Sequence, residues 1–194
     1  MSKNKMKIIG IIICAILIII QCLIMIDKGR IDIKAFEKNV SNEMKKIENN
    51  QGVGWLEIEG ITDKKYPLVE GSSPTNLMFG VGIRKDSILP INKGTTILEM
   101  HRETVGYRFD EIRENNIIKL YLVKDKKIYK YKMIDKQIVN NESAKELEDL
   151  YEKISLRDKS YLLLSTCYPT KEKSFNPKQR LVIIGELVGV EDNQ

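Results

Sequence analysis

The chain has 194 residues, 42% of them hydrophobic, and a formal net charge of +5 from 32 basic and 27 acidic side chains. Lys3, Lys5 and Lys7 supply most of this excess, because without them 29 basic residues face 27 acidic ones, a net charge of +2. So balanced a chain lacks the concentrated positive charge of a nucleic-acid-binding surface, and no nucleic acid is expected among its partners.

The N-terminal residues predict a membrane anchor. Three lysines precede an apolar run from Ile8 to Ile26, nineteen residues with a polar side chain only at Gln21. At ~1.5 Å of rise per residue, this length approaches the thickness of a bilayer hydrocarbon core. No small residues of a signal-peptidase site follow it. We therefore expect a single-pass cell-membrane protein, with residues 1–7 in the cytoplasm, a transmembrane signal-anchor helix at 8–26 and the rest outside the cell.

Residues 27–50 predict a linker between the anchor and an exterior domain. Apolar residues recur within it at helical spacing: Phe36, Val40, Met44 and Ile47. This spacing fits a short amphipathic helix, and a partly ordered stalk is an equal alternative. The polar residues from Asn49 to Gly52 mark a boundary, and residues 51–194 are enough for one domain with its own core.

The exterior domain is predicted to be mostly β. Short runs rich in Ile, Val, Leu and Tyr predict seven strands, at residues 54–59, 66–70, 95–100, 117–123, 128–135, 161–166 and 181–188. Lys124-Asp125-Lys126 predicts the turn of a hairpin. Ser143 and Glu146 form a capping-box pattern, which predicts a short helix at about 143–154. Strands at this spacing with few helices favour a closed or nearly closed β-barrel.

Cys167 and His101 are the only residues of their types in the exterior domain, since Cys14 and Cys22 lie in the predicted anchor. A single exterior cysteine can form no internal disulfide, which favours a chemical role for the thiol. A thiolate can attack a carbonyl to form a thioester, and an imidazole can exchange protons with the thiol and the leaving amine. Arg180, thirteen residues after Cys167, would begin the next strand and offer a fixed donor to an oxyanion.

Each of these three residues also has an ordinary interpretation when taken singly. The thiol could be a small buried side chain, the histidine a surface loop residue and the arginine a partner in an ion pair. One His and one Cys cannot complete a typical zinc site without acidic helpers, so no metal site is expected.

Four segments follow one another in a family-specific order: Met100-His101-Arg102, Phe109-Asp110-Glu111-Ile112, Leu164-Ser165-Thr166-Cys167-Tyr168-Pro169 and Gln179-Arg180-Leu181-Val182. In order and spacing they resemble the sortases, membrane-anchored cysteine transpeptidases of Gram-positive bacteria, over about residues 54–188. The resemblance implies an eight-stranded β-barrel with one or two short helices. It implies catalytic roles for His101, Cys167 and Arg180, and places Thr166 and Ser165 at the substrate.

The resemblance also implies the substrates. A sorting motif similar to Leu-Pro-x-Thr-Gly, near the C-terminus of a secreted protein, would be cleaved and joined to an amine of a peptidoglycan precursor or of a pilin. Apolar residues of 136–160 would line the groove for Leu-Pro. Cys-Tyr-Pro and His-Arg favour class D, whereas Leu-Ser-Thr-Cys also resembles class B, and we expect a class D-like member. No cofactor is predicted: calcium helps some sortases, but the scattered acids here form no ligand pattern.

Two other functions stay open at this point. The domain could be a non-catalytic module that binds a wall component or a partner, with Cys167 as a structural residue. It could also be a simple thiol peptidase, in which water resolves the thioester. Papain-like and NlpC/P60-like enzymes are disfavoured because they place Cys before His, and L,D-transpeptidases because their Ser-His-Gly-Cys-type motif is absent.

Overall fold

The structure, a computed structural model, describes residues 12–19, 31–92, 94–140, 144–155, 159–171 and 177–193. The chain divides into two compact units, Met1–Asp32 and Ile33–Gln194. In the first unit, residues 12–19 form a helix, α1. Within the ranges that the structure describes, no helix has the length and apolar character needed to cross a membrane. The predicted anchor at 8–26 lies mostly outside these ranges and stays a prediction.

The second unit contains a closed eight-stranded β-barrel, as predicted. In chain order the strands are β1 Gly54–Ile58, β2 Tyr66–Glu70, β3 Val81–Ile83, β4 Thr95–Met100, β5 Ile117–Leu122, β6 Lys127–Asn140, β7 Tyr161–Tyr168 and β8 Gln179–Asp192. Around the barrel their order is β1-β2-β3-β4-β7-β8-β6-β5. The β2–β3 and β4–β7 pairs are parallel and the other pairs are antiparallel. Closure leaves no open sheet edge.

The barrel interior holds the main hydrophobic core. Alternate residues of the strands point inward, and the innermost are fully buried: Leu56, Leu98, Leu120, Tyr131, Leu164 and Ile183. Strands β6 and β8 are longer than predicted because they pair with each other from Lys127–Asp192 to Asn140–Gln179, with register shifts on the way. Strand β3 was not predicted, because three residues with a central glycine are too short to show an alternation.

Helix α2, Ile33–Glu48, packs against the barrel, and its Phe36 and Val40 join the main core. It buries Phe36, Val40 and Ile47 at the predicted helical spacing, and it contacts β1 and β2. The Phe36 ring stacks on Tyr66 with ring centroids 6.4 Å apart. The side-chain amide of Asn39 donates to the carbonyl oxygen of Met78 at 3.0 Å. Of the two alternatives for residues 27–50, the structure has a helix over these sixteen residues.

Helix α3, Ala144–Ser155, lies over the outer face of β6, β7 and β8, close to the predicted bounds. Ser143 of the predicted capping box lies outside the described residues, and Glu146 Oε2 accepts a hydrogen bond from the Asn140 backbone N–H at 3.1 Å. The apolar residues of α3 are buried against the barrel: Leu147, Leu150, Tyr151 and Ile154. The prediction that apolar residues of 136–160 line a substrate groove is wrong for these four, because they form a second core layer.

Candidate active site

Three adjacent strands bring the predicted catalytic residues into one row. Strand β7 lies between β4 and β8. Cys167 pairs with Arg180 of β8, and the residue before it, Thr166, pairs with Met100 of the parallel strand β4. His101 is the next residue after Met100, one step beyond that pair. The register thus places His101, Cys167 and Arg180 side by side at one end of the barrel.

The row lies on the outer face of the barrel wall. Side chains alternate between the two faces of a strand. Along β7, Leu162 and Leu164 belong to the interior core, whereas Leu163 packs in the outer layer under α3. Cys167 has the parity of Leu163, so its thiol faces outward, toward the side from which a substrate can approach.

Arg180 is in direct contact with the thiol. Its Nη1 donates to Cys167 Sγ at 2.7 Å. Burial raises the pKa of the Cys167 thiol, the positive charges of Arg180 and Arg102 act in the opposite direction, and Glu103 and Glu99 add to the increase. The resting sulfur is therefore largely a thiol at neutral pH, and its proton has to leave when it attacks a carbonyl.

His101 is partly exposed at the end of β4. Its Nε2 lies 3.4 Å from the carbonyl oxygen of Pro74, in the connection between β2 and β3. A proton on Nε2 would be donated to this oxygen, leaving Nδ1 as the nitrogen that can accept a proton. The imidazole thus stands in the catalytic row with a backbone acceptor available to one of its nitrogens.

Arg102 is a site residue that sequence reasoning used only as part of the His-Arg pair. Its side chain is 2% exposed, its Nε donates to Glu103 Oε1 at 2.9 Å, and its Nη1 donates to the carbonyl oxygen of Pro169 at 3.1 Å. Pro169 follows a cis peptide bond, two residues after Cys167. Arg102 therefore joins the segment after Cys167 to the segment after His101, and it adds a fixed positive charge.

Ser165 and Thr166 directly precede Cys167 on β7. They lie on opposite faces of the strand, and both are buried. Thr166 Oγ1 donates to the carbonyl oxygen of Met100 at 3.1 Å, which joins β7 to β4. Gly106 approaches it so closely that a Cβ there would lie 2.4 Å from Thr166 Oγ1. The predicted substrate-binding role of Thr166 and Ser165 stays a prediction; the recorded contacts of Thr166 hold the strands in place.

Ion pairs also hold the connection that follows Cys167. Lys171 Nζ lies 3.1 Å from Glu111 Oε1 and 3.7 Å from Asp110 Oδ2. Both acids belong to a 3-10 helix, Val105–Glu111, that follows the His-Arg pair. These partly exposed pairs contribute little energy singly, but they act on the same connection as the Arg102–Pro169 contact.

A cleft lies beside α2, lined by Glu43, Leu68, Glu70, Asn76 and Phe79 among others. Asn76 and Phe79 belong to the β2–β3 connection, which also contains Pro74.

Comparisons with known proteins identify the family of the chain. Residues 56–188 match the Sortase domain family. The chain is 33% identical to Sortase D of Bacillus subtilis (strain 168) over 143 residues, which cover 74% of this chain and 67% of the relative.

The structure is similar in fold to a Sortase D5 transpeptidase of Clostridium perfringens, with a TM-score of 0.61 and 18% identity over 80% of this chain and 99% of the other. It is also similar to sortase C1 of Streptococcus agalactiae, with a TM-score of 0.57 and 25% identity over 70% of this chain and 67% of the other. The expected class D-like character is supported by the 33% identity to Sortase D. The chain belongs to the sortase family of cysteine transpeptidases.

Proposed function

We propose that this sortase cleaves a C-terminal sorting motif of secreted proteins, similar to Leu-Pro-x-Thr-Gly, and joins the cleaved protein to an amine of the cell wall or of a pilin. The observation that carries the proposal is the hydrogen bond that Arg180 donates to Cys167 Sγ. The strand register places His101 beside this pair. A nucleophile, a proton acceptor and a fixed positive donor in one row are the parts that acyl transfer requires.

The first half of the reaction forms a thioester. Cys167 Sγ attacks the carbonyl carbon before the scissile bond, and the thiol proton passes to His101. The tetrahedral oxyanion is stabilised by N–H donors of Arg180. The C–N bond then breaks, and the His101 imidazolium gives its proton to the leaving amine.

The second half of the reaction transfers the acyl group. The nitrogen of an acceptor amine attacks the thioester carbonyl and loses a proton to His101, and the thiolate of Cys167 leaves as the new amide forms. The sulfur then recovers a proton from His101, which returns both groups to their resting state. Because burial raises the pKa of the thiol, the leaving sulfur is readily reprotonated.

We place the active site on the outer side of the cell membrane. Lys3, Lys5 and Lys7 before the apolar run at 8–26 support an N-terminus in the cytoplasm and a signal-anchor. Protease added to intact cells should remove the catalytic unit, whereas an N-terminal epitope tag should stay protected until the membrane is permeabilised. Protection of both ends would contradict this orientation.

The test of the transpeptidase proposal is the intact mass of the full-length protein mixed with a library of sorting-motif peptides. A covalent adduct with the mass of the acyl fragment should form, and Cys167→Ala should abolish it. Cys14→Ala is the matched control, since it removes a thiol of the predicted anchor and should leave the adduct unchanged. An adduct that survives in Cys167→Ala would contradict the assignment of the nucleophile.

The same experiment separates the two alternative functions. A non-catalytic binding module would bind a wall component or partner equally well as Cys167→Ala and form no adduct. A simple peptidase would form the adduct but release the acyl fragment to water. A transpeptidase should instead turn over faster when an acceptor amine is added, and the product should carry that amine.

A further inference from the structure

A carboxylate lies beside the catalytic row and has no part in the reaction as described. Glu99 of β4 precedes His101 by two residues, and it pairs with Ser165, which precedes Cys167 by two. Residues two apart on a strand share a face and are about 7 Å apart. Glu99 therefore lies on the outer face, next to His101 and diagonal to Cys167, and it is partly exposed.

The carboxylate of Glu99 has no ion-pair partner among the described residues. In the part of the chain that the structure describes, no basic side chain comes within 4.0 Å of its carboxylate. Two arginines whose charges act on Tyr151, as that of Glu99 does, have other partners: Arg180 contacts the thiol, and Arg84 pairs with Asp86 and Glu148.

A second polar group of this region, the hydroxyl of Tyr151, also lacks a partner in the described part of the chain. The hydroxyl of Tyr151, whose side chain is 3% exposed, has no hydrogen-bond partner among the described residues, although Ser165 is near enough to affect its pKa. Burial raises that pKa to about 12, and the charge of Glu99 adds to the increase. The register places Glu99 diagonal to Cys167, and its charge also adds to the raised pKa of that thiol.

A negative charge beside a nucleophilic thiol opposes the formation of a thiolate. A cation held by Glu99 would neutralise that charge at the moment when the site is occupied. Both substrates of the proposed reaction can bring one. The acceptor is an amine, which binds as an ammonium and gives one proton to water before its nitrogen attacks, and a sorting motif can carry a basic residue near the scissile bond.

We propose that Glu99 binds a positively charged amine of a substrate next to Cys167, so that this enzyme favours cationic groups there. The inference rests on the proposed function. The chemistry is a carboxylate–ammonium pair whose cation comes from one of two sources, the acceptor or a lysine of the sorting motif.

The test uses full-length protein and Glu99→Gln in two arms. The motif arm compares the rate of thioester formation for peptides with lysine or norleucine at each position around the scissile bond. The acceptor arm measures how the rate of thioester aminolysis depends on the concentration of Nα-acetyl-lysine amide, with a peptide that has no basic residue. A partly exposed ion pair corresponds to about a twofold to fivefold preference, and Glu99→Gln should remove it in one arm.

Two further variants make the result specific. Glu57→Gln is the matched control: Glu57 is also a partly exposed strand glutamate, but it lies on β1, which does not border β4, β7 or β8. It should leave both arms unchanged. Glu99→Lys should reverse the preference toward glutamate in the motif arm or weaken the acceptor arm further.

The outcomes separate this inference from the proposed function. If the wild-type enzyme forms the thioester but Glu99→Gln changes neither arm by as much as about twofold, the Glu99 site is overturned and the transpeptidase stands. If the wild-type enzyme forms no thioester with any peptide, the proposed function fails and the site fails with it. A change in the motif arm identifies the cation as part of the sorting signal, and a change in the acceptor arm identifies it as the nucleophile.

Discussion

Cys167 and Arg180 are joined twice, once by the backbone pairing of β7 with β8 and once by the guanidinium N–H that reaches the sulfur at 2.7 Å. The side-chain contact therefore depends on the register of two strands rather than on a flexible loop. This rigidity matters because a donor stabilises an oxyanion only when it is held in place before the charge develops.

Replacing Arg180 should remove most of the activity. We expect Arg180→Met to lower kcat roughly a hundredfold to a thousandfold, the cost of losing one strong oxyanion donor. Arg180→Lys should recover only a small part, because an ammonium lacks the planar fork of N–H groups. Single-turnover thioester formation measures the effect, and full activity in Arg180→Lys would show that only the charge matters.

The reactivity of the thiol should rise with pH. Because burial raises the pKa of Cys167 above its ordinary range, the rate of alkylation by iodoacetamide should reach its midpoint above that of a free cysteine. The same shift stabilises the fold at low pH, and this contribution is lost as the pH rises from the ordinary thiol pKa through the raised one. Removing the positive charge in Arg180→Met should move the midpoint up, and Glu99→Gln should move it down. A midpoint below that of free cysteine would contradict the burial effect.

Arg102 should affect both stability and the site. Arg102→Met removes the donor to the Pro169 carbonyl and leaves a gap where the side chain was 2% exposed, so we expect a loss of about 2 kcal/mol in the free energy of unfolding. Urea denaturation measures it. A purely structural role would leave the alkylation midpoint of Cys167 unchanged, whereas a role through charge should raise it in Arg102→Met and not in Arg102→Lys.

Gly106 should tolerate no side chain. A Cβ there would lie 2.4 Å from Thr166 Oγ1 and 3.1 Å from the carbonyl oxygen of His101, so Gly106→Ala must displace one of the two. We expect a loss of about 1–3 kcal/mol in the free energy of unfolding together with reduced turnover. Gly189→Ala is the control, because nothing lies within 4 Å of a Cβ built there. Equal stability of the two variants would contradict the close approach.

Helix α2 should contribute to the stability of the barrel. Phe36 is 2% exposed, and Phe36→Ala should cost about 3–5 kcal/mol. Ile33→Ala in the first turn of the same helix should have a small effect, since Ile33 is 47% exposed. Thermal or urea unfolding compares them, and similar losses in both variants would show that burial by α2 does not stabilise the domain.

The sequence alone predicted the barrel well, because alternation and turn residues depend on neighbours along the chain. Three features escaped this reasoning for one physical reason, namely that they depend on contacts distant in sequence. Strand β3 is ordered by pairing with β2 and β4, and Arg102 is buried only because the chain after Cys167 returns to it. The apolar stripe of α3 was assigned to a groove, but a stripe does not reveal whether a substrate or the barrel covers it.

The order of the strands also determines when the enzyme becomes active. Strand β7 carries the nucleophile between two neighbours, and its bond to β4 joins Thr166 to Met100 across 66 residues of chain. Contacts so distant in sequence form only after a costly loop has closed. A newly made chain therefore has a thiol, an imidazole and a guanidinium but no assembled site until the barrel has closed. Incompletely folded copies are thereby kept from forming a thioester with the wrong protein.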